Sequence, residues 1–98
     1  NHLKILSPED NKTYFIDSIM VVSVSLDNGK KIISGEVFLN SQKIGDLQIP
    51  GESISFYPSE LSAIRPANKL RVVVTDDSGE KYEDYLEFLI KLFSFQKF

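Results

Sequence analysis

Residues 69–79 read Lys-Leu-Arg-Val-Val-Val-Thr-Asp-Asp-Ser-Gly. In extended chain successive side chains point to opposite faces, so Leu70, Val72 and Val74 share one side while Lys69, Arg71, Val73 and Thr75 share the other. That pattern predicts a central strand. Asp76-Asp77-Ser78-Gly79 follows as a turn, with Gly79 where left-handed φ is needed, and the chain is then expected to return from Glu80 towards Ile90.

The return segment carries two periods at once. Tyr82, Tyr85, Leu86, Leu89 and Phe93 recur at three and four residues, which suits an amphipathic helix over Lys81–Phe95. Read as a strand, it gathers Tyr82, Leu86, Phe88 and Ile90 on one face, with Asp84 intruding. The turn favours the strand, because residues 69–75 would otherwise lack a hairpin partner. Both readings stay open from the sequence.

Further back, Ile19–Leu26 places Met20, Val22, Val24 and Leu26 on one face and Ser23, Ser25 and Asp27 on the other, with Val21 on the polar side. Asp27-Asn28-Gly29 turns the chain into Ile32–Leu39, where Val37 and Leu39 point inward. A bend at Asn40 or Ser41 leads to Ile44–Ile49, and Gly45 marks a bulge. Pro50-Gly51 breaks that strand, Ile54–Tyr57 alternates again, and Pro58 stops it before a loop over Ser59–Asn68. Within the loop Leu61 and Ile64, three apart, are expected to pin one helical turn to the core. At the start, Leu3–Leu6 forms a strand closed by Ser7-Pro8, Glu9–Lys12 a polar turn, and Tyr14–Ile16 resumes the edge.

Seven or eight short strands in 98 residues predict an all-β, immunoglobulin-like sandwich of two antiparallel sheets, with about seven strands. Three stretches carry a resemblance: Ile5-Leu6-Ser7-Pro8 with its polar turn and Tyr14; Val37-Phe38-Leu39-Asn40-Ser41-Gln42-Lys43-Ile44-Gly45; and Val72 through Gly79. In that order they resemble bacterial immunoglobulin-like domains, similar to fibronectin type III, which occur in tandem in surface and secreted proteins. The resemblance runs from about Leu3 to Ile90. The buried tryptophan, cysteine pair and associated tyrosine of antibody-type domains are missing.

Composition narrows the function. Eleven Lys and Arg against 14 Asp and Glu give a net charge of -3, so no positive field gathers phosphates and no nucleic-acid partner is expected. The absence of cysteine removes disulfides, thiolate metal sites and thiol nucleophiles, and leaves the compartment open. No apolar run is long enough for a membrane helix, the longest candidate, Leu86–Phe95, being interrupted by Glu87, Lys91 and Ser94. The five glycines stand apart from one another, so no phosphate-cradling loop exists. A folded chain of this size buries roughly 60–65% of its unfolded surface, enough for one two-layer core.

Catalytic constellations are equally sparse. His2 is the sole histidine and lies at the very start, so no Ser-His-acid triad assembles. Asp76, Asp77, Ser78 and Glu80 cluster oxygen ligands in one turn, and Asp76 and Asp77 are the candidate Ca²⁺ ligands; the competing reading is that Asp-Ser-Gly simply forms the turn. Phe56, Tyr57, Tyr82 and Tyr85 are the candidates for a sugar-stacking platform, although alternation sends half of them into the core. If a protein partner binds, loops 27–31, 50–53 and 58–68 are where it is sought.

The expectation is a non-catalytic domain over residues 1–90, with no cofactor, and a tail or linker over 91–98 whose Leu92, Phe93, Phe95 and Phe98 lead into or pack on a neighbour. A start at Asn1-His2 without an initiator methionine or leader pattern suggests a piece of a longer protein. Its place would be extracellular, at the cell surface or in the periplasm, as a spacer or protein-interaction module whose partners are neighbouring domains of the same chain. The alternative is an accessory, carbohydrate-binding domain of a secreted enzyme.

Overall fold

A computed structural model of the chain describes residues 2–92. Eight strands form two sheets: β1 (Leu3–Ser7), β2 (Thr13–Phe15), β3 (Met20–Leu26), β4 (Ile32–Leu39), β5 (Gln42–Asp46), β6 (Ser53–Phe56), β7 (Ala67–Asp76) and β8 (Lys81–Lys91). The smaller sheet has the order β1-β3-β6 and the larger β2-β8-β7-β4-β5. Short β2 runs parallel to β8, and every other pairing is antiparallel.

The core lies between the layers and follows the alternation. Leu70, Val72 and Val74 of β7 are wholly buried, as are Val37 and Leu39 of β4, and they share one cluster with Met20, Val22 and Val24 of β3. Each such side chain contributes about 1.5–3 kcal/mol by leaving water. β7 sits in the middle of the larger sheet, so its inward row meets neighbours on every side.

Residues 81–91 are a strand, paired along its length with β7 from Thr75↔Lys81 to Ala67↔Leu89. Its inward set is Tyr82, Leu86, Phe88 and Ile90, of which Phe88 is wholly buried and meets Tyr14 edge-on at 6.1 Å. Asp84, opposite Val72, escapes the apolar layer by accepting a 3.2 Å hydrogen bond from the Ile5 backbone N–H. A carboxylate on the core face thus fastens the edge of one sheet to the other. Phe93 and Phe95, and with them residues 93–98 of the expected tail, lie outside the described residues.

Two local expectations need correction. The strand expected at Ile44–Ile49 is Gln42–Asp46, because Asn40 and Ser41, with left-handed φ of 51° and 74°, complete a two-residue turn whose twist matches the right-handed twist of the strands. Gly45 does lie at a bulge: Val37 faces Gly45 and Phe38 faces Lys43, leaving Ile44 as the extra residue. Leu47 then turns into the core over Gly35, its N–H bonded to the Gly35 carbonyl at 2.9 Å. Finally, the helical turn is a 3-10 turn at Pro58–Glu60, ahead of Leu61 and Ile64, which are half-buried while Ala63 between them is the buried anchor.

Gly35 has no room for a side chain, since a Cβ there would run into Leu47 and stand 3.2 Å from Val74 Cγ1. Gly35→Ala is therefore expected to lower unfolding free energy by about 1–3 kcal/mol through overpacking, and Phe88→Ala by about 3–5 kcal/mol through the cavity it leaves. Urea unfolding followed by circular dichroism checks both. Midpoints equal to that of the parent chain would contradict this packing.

Candidate functional site

The chemistry-bearing side chains fall into three places. The first is a polar corner where β7 turns into β8. Alternation carries the inward row of β7 past Val74 to Asp76, the last residue of the strand, so its carboxylate is completely buried at the mouth of the turn. Asp76 Oδ1 accepts from the Ser78 N–H (2.8 Å), the Ser78 hydroxyl (2.7 Å) and the Glu80 N–H (3.0 Å), while Oδ2 accepts from the Tyr82 hydroxyl at 2.8 Å. The Ser78 hydroxyl and, behind it, Tyr82 and the turn amides hold this carboxyl well below its ordinary value against the opposing effect of burial. Tyr82 is pushed up by the same bond to Asp76 and by its own burial. Its oxygen also accepts from Asn28 Nδ2 at 3.1 Å.

His2 joins this corner from outside. Its Nδ1 lies 2.7 Å from Asp27 Oδ1, and its ring stands edge-on to Tyr82 with centroids 6.2 Å apart. Of the expected Ca²⁺ pair, Asp76 is internal and saturated with donors, whereas Asp77 is exposed. Among the described residues no three acidic, histidine or cysteine side chains converge, and every buried side-chain polar atom has a partner. The arrangement is that of a turn lock.

The second place is the outer face of the larger sheet. Phe38 and Arg71 face each other across β4 and β7, and Arg71 and Tyr85 across β7 and β8. The Arg71 guanidinium lies 4.9 Å from the Phe38 ring centre and its Nε 2.8 Å from Glu83 Oε1. Lys43 bridges Glu36 (3.1 Å) and Asp46 (3.0 Å), and the hydrogen bonds to Asp46 and Glu36 raise its pKa. Tyr85 remains 60% exposed. Two residues further along β8, Glu87 borders a hollow of about 210 Å³ together with Asn11, Lys69 and the apolar Ala67, Phe88 and Leu89.

The third is an apolar cleft of about 320 Å³ lined by Ile16, Ile64, Arg65, Pro66, Ile90 and Leu92. It lies at the end of the sandwich opposite the polar corner. The four aromatic candidates do not converge: Phe56 packs on the core, Tyr57 is exposed at the end of β6, Tyr82 is spent in the polar corner, and Tyr85 stands on the other sheet. Of the expected binding loops, 27–31 and 50–53 meet, Glu52 sharing a hollow with Lys30 and Lys31. Loop 58–68 is remote, tied to β2 and the β4–β5 turn by Ser59 N–H to Ile16 O (2.9 Å) and Asn40 Nδ2 to Ala63 O (2.8 Å).

No protein-family model and no curated protein matches the chain. Solved structures do. The chain is similar to the fibronectin(III)-like modules of Clostridium thermocellum CbhA, with a TM-score of 0.71, 15% identity, and 92% of this chain and 97% of that one covered. It is similar to part of the endo-beta-1,4-mannanase from Thermotoga petrophila (TM-score 0.67, 8% identity, 92% of this chain and 19% of that one). It also matches part of the spore cortex lytic enzyme SleM of Clostridium perfringens (TM-score 0.50, 17% identity, 86% and 26%). At these identities the likeness establishes the fold, a fibronectin type III-like, immunoglobulin-like sandwich.

Asp76 supplies a test of the corner. A carboxyl whose folded pKa is depressed adds stability that is fully present above its unfolded value and is lost as pH falls through the acidic range below about pH 4. Asp76→Asn is expected to lower Tm by more than about 10 °C at neutral pH and to flatten the acid dependence of Tm. The saturated carboxylate also predicts no heat and no rise in Tm on titration with Ca²⁺. Calorimetry checks all three, and a calcium-dependent rise in Tm would assign Asp76 and Asp77 to a metal instead.

Proposed function

We propose that this chain is a non-catalytic module of a larger bacterial surface or secreted protein, acting as a spacer or protein-interaction domain. One observation carries the reading: the two ends of the described chain lie at opposite poles. His2 sits at the pole of the Asp27 and Asp76 turns, whereas Leu92 lines the apolar cleft with Ile16 and Ile64 at the other. Between them β8 alone, with 11 residues, spans about 36 Å, and the principal extents are 54 × 21 × 21 Å.

Such a path suits a strut. Force applied through the ends runs along the strands and is resisted by β1 and β8, which are held by the ladders to β3 and β7 and by the Asp84 bond to Ile5. The cleft at the Leu92 pole offers an apolar seat for an adjoining domain of the same chain. No helix among the described residues is long and apolar enough to cross a membrane.

A second reading, an accessory domain of a secreted enzyme, is favoured by the company the fold keeps. Two of the similar structures are enzymes, and this chain matches 19% and 26% of their lengths. There the module would set the distance or the grip of a catalytic neighbour on its substrate.

Pulling the chain from both ends between two reference domains tests the strut. The expected trace shows one cooperative unfolding event that releases about 300 Å of contour for some 90 residues, and no turnover of generic ester, phosphate or glycoside substrates. Extension without a force peak, or turnover by the purified chain, would contradict the proposal.

A further inference from the structure

The outer face of the larger sheet is left unused by the strut. We propose that it binds an uncharged polysaccharide chain, with Tyr85 as the stacking platform and the hollow walled by Asn11, Lys69 and Glu87 as the adjoining hydroxyl-binding subsite. The inference gives a ligand class to the accessory-domain reading and rests on it.

The face is held by contacts among its own side chains. Arg71 lies over Phe38 at 4.9 Å and is bound to Glu83 at 2.8 Å, so in the row Phe38, Arg71, Tyr85 the first two are engaged with each other while Tyr85 stays exposed. Tyr85, 60% exposed on an ordered strand, leaves aromatic surface open to stack on the C–H face of a sugar. Glu87 follows Tyr85 on the same face, about 7 Å along the strand. A chain stacked on Tyr85 therefore passes over the hollow.

The hollow sets polar groups beside the apolar Ala67, Phe88 and Leu89, and its edge is hydrogen-bonded in place. The Asn11 N–H donates to Glu87 O (2.6 Å), the Glu87 N–H to Asp10 Oδ1 (3.0 Å) and the Leu89 N–H to Lys12 O (3.0 Å), stitching the 9–12 turn to the edge of β8. Lys69 and Glu87 are cross-strand neighbours, yet neither the ammonium nor the carboxylate side chain has a hydrogen-bond or ion-pair partner among the described residues. A donor and an acceptor of opposite charge are thus left facing a space of about 210 Å³, a pairing that meets hydroxyl groups, which both donate and accept.

Charge decides between ligand classes. Lys43 is matched by Glu36 and Asp46, Arg71 by Glu83, and Lys69 lies opposite Glu87. With the carboxylates of Glu36, Asp46, Glu83 and Glu87 on the same face as these cations, the face has no excess positive field to attract phosphate, sulfate or uronate chains, and a neutral chain is the complement.

Native affinity electrophoresis in gels containing hydroxyethylcellulose, xylan or galactomannan, with heparin as the polyanion, tests the site. Retardation by at least one neutral glycan, unchanged by added salt, is expected. Tyr85→Ala should weaken it about fivefold or more, Glu87→Gln should weaken it less, and Tyr57→Ala on the other sheet should leave it intact. Circular dichroism confirms that each variant is folded. Lack of retardation of the folded parent chain by all three neutral glycans, retardation that survives Tyr85→Ala, or binding to heparin alone would overturn the proposal. The force trace reads the strut independently, so the two can fail separately.

Discussion

Everything in this molecule depends on β7 having one face that water never reaches. Leu70, Val72 and Val74 are fully enclosed, which requires a strand on each side and a second sheet above. β4 and β8 supply the flanks through registers that pair Val72 with Val37 and Leu70 with both Leu39 and Leu86. The smaller sheet supplies the cover through Met20, Val22 and Val24. Removing water from that row is the largest favourable contribution the fold has, and the other elements are placed by it.

The row also explains where the polar side chains sit. Continuing the inward set of β7 past its apolar stretch gives Asn68 at one end and Asp76 at the other, both buried. Each closes a pole. Asn68 receives the Arg65 N–H (2.8 Å) and Asn40 Nδ2 (2.9 Å) and donates to Arg65 O (2.6 Å), holding the long loop against the β4–β5 turn. Asp76 gathers the β7–β8 turn and Tyr82. A buried group with every hydrogen bond made orders its surroundings, and that need for internal partners is why these carboxylate and amide groups serve structure.

Much of this was legible in the sequence because period-two alternation is a direct image of burial. β3, β7 and the turns at Asn40 and Gly79 stand where residue chemistry puts them. The ambiguity over residues 81–95 came from Tyr85 and Leu89, apolar residues on the solvent face of β8, which add a helical period to a strand. β5 was misplaced because Leu47 is buried beyond the strand end, an apolar residue that alternation counts as part of the ladder. The bond from Ile5 to Asp84 spans 79 positions and leaves no local signal. Among four aromatic candidates only the fold shows that Tyr85 stands clear, and the pairing of Lys69 with Glu87 exists only through the hairpin register.

The functional account joins two surfaces to one frame: poles that suit end-to-end connection, and an outer sheet face with an exposed tyrosine. Both require that β7 and β8 form a sealed hairpin at the centre of the larger sheet. Amide hydrogen exchange resolved residue by residue measures that directly. Amides of Leu70, Val72 and Val74, together with their partners in β8, should be the slowest in the molecule and exchange only by global unfolding. Rapid exchange across residues 81–91, or protection confined to β1 and β3, would contradict the account.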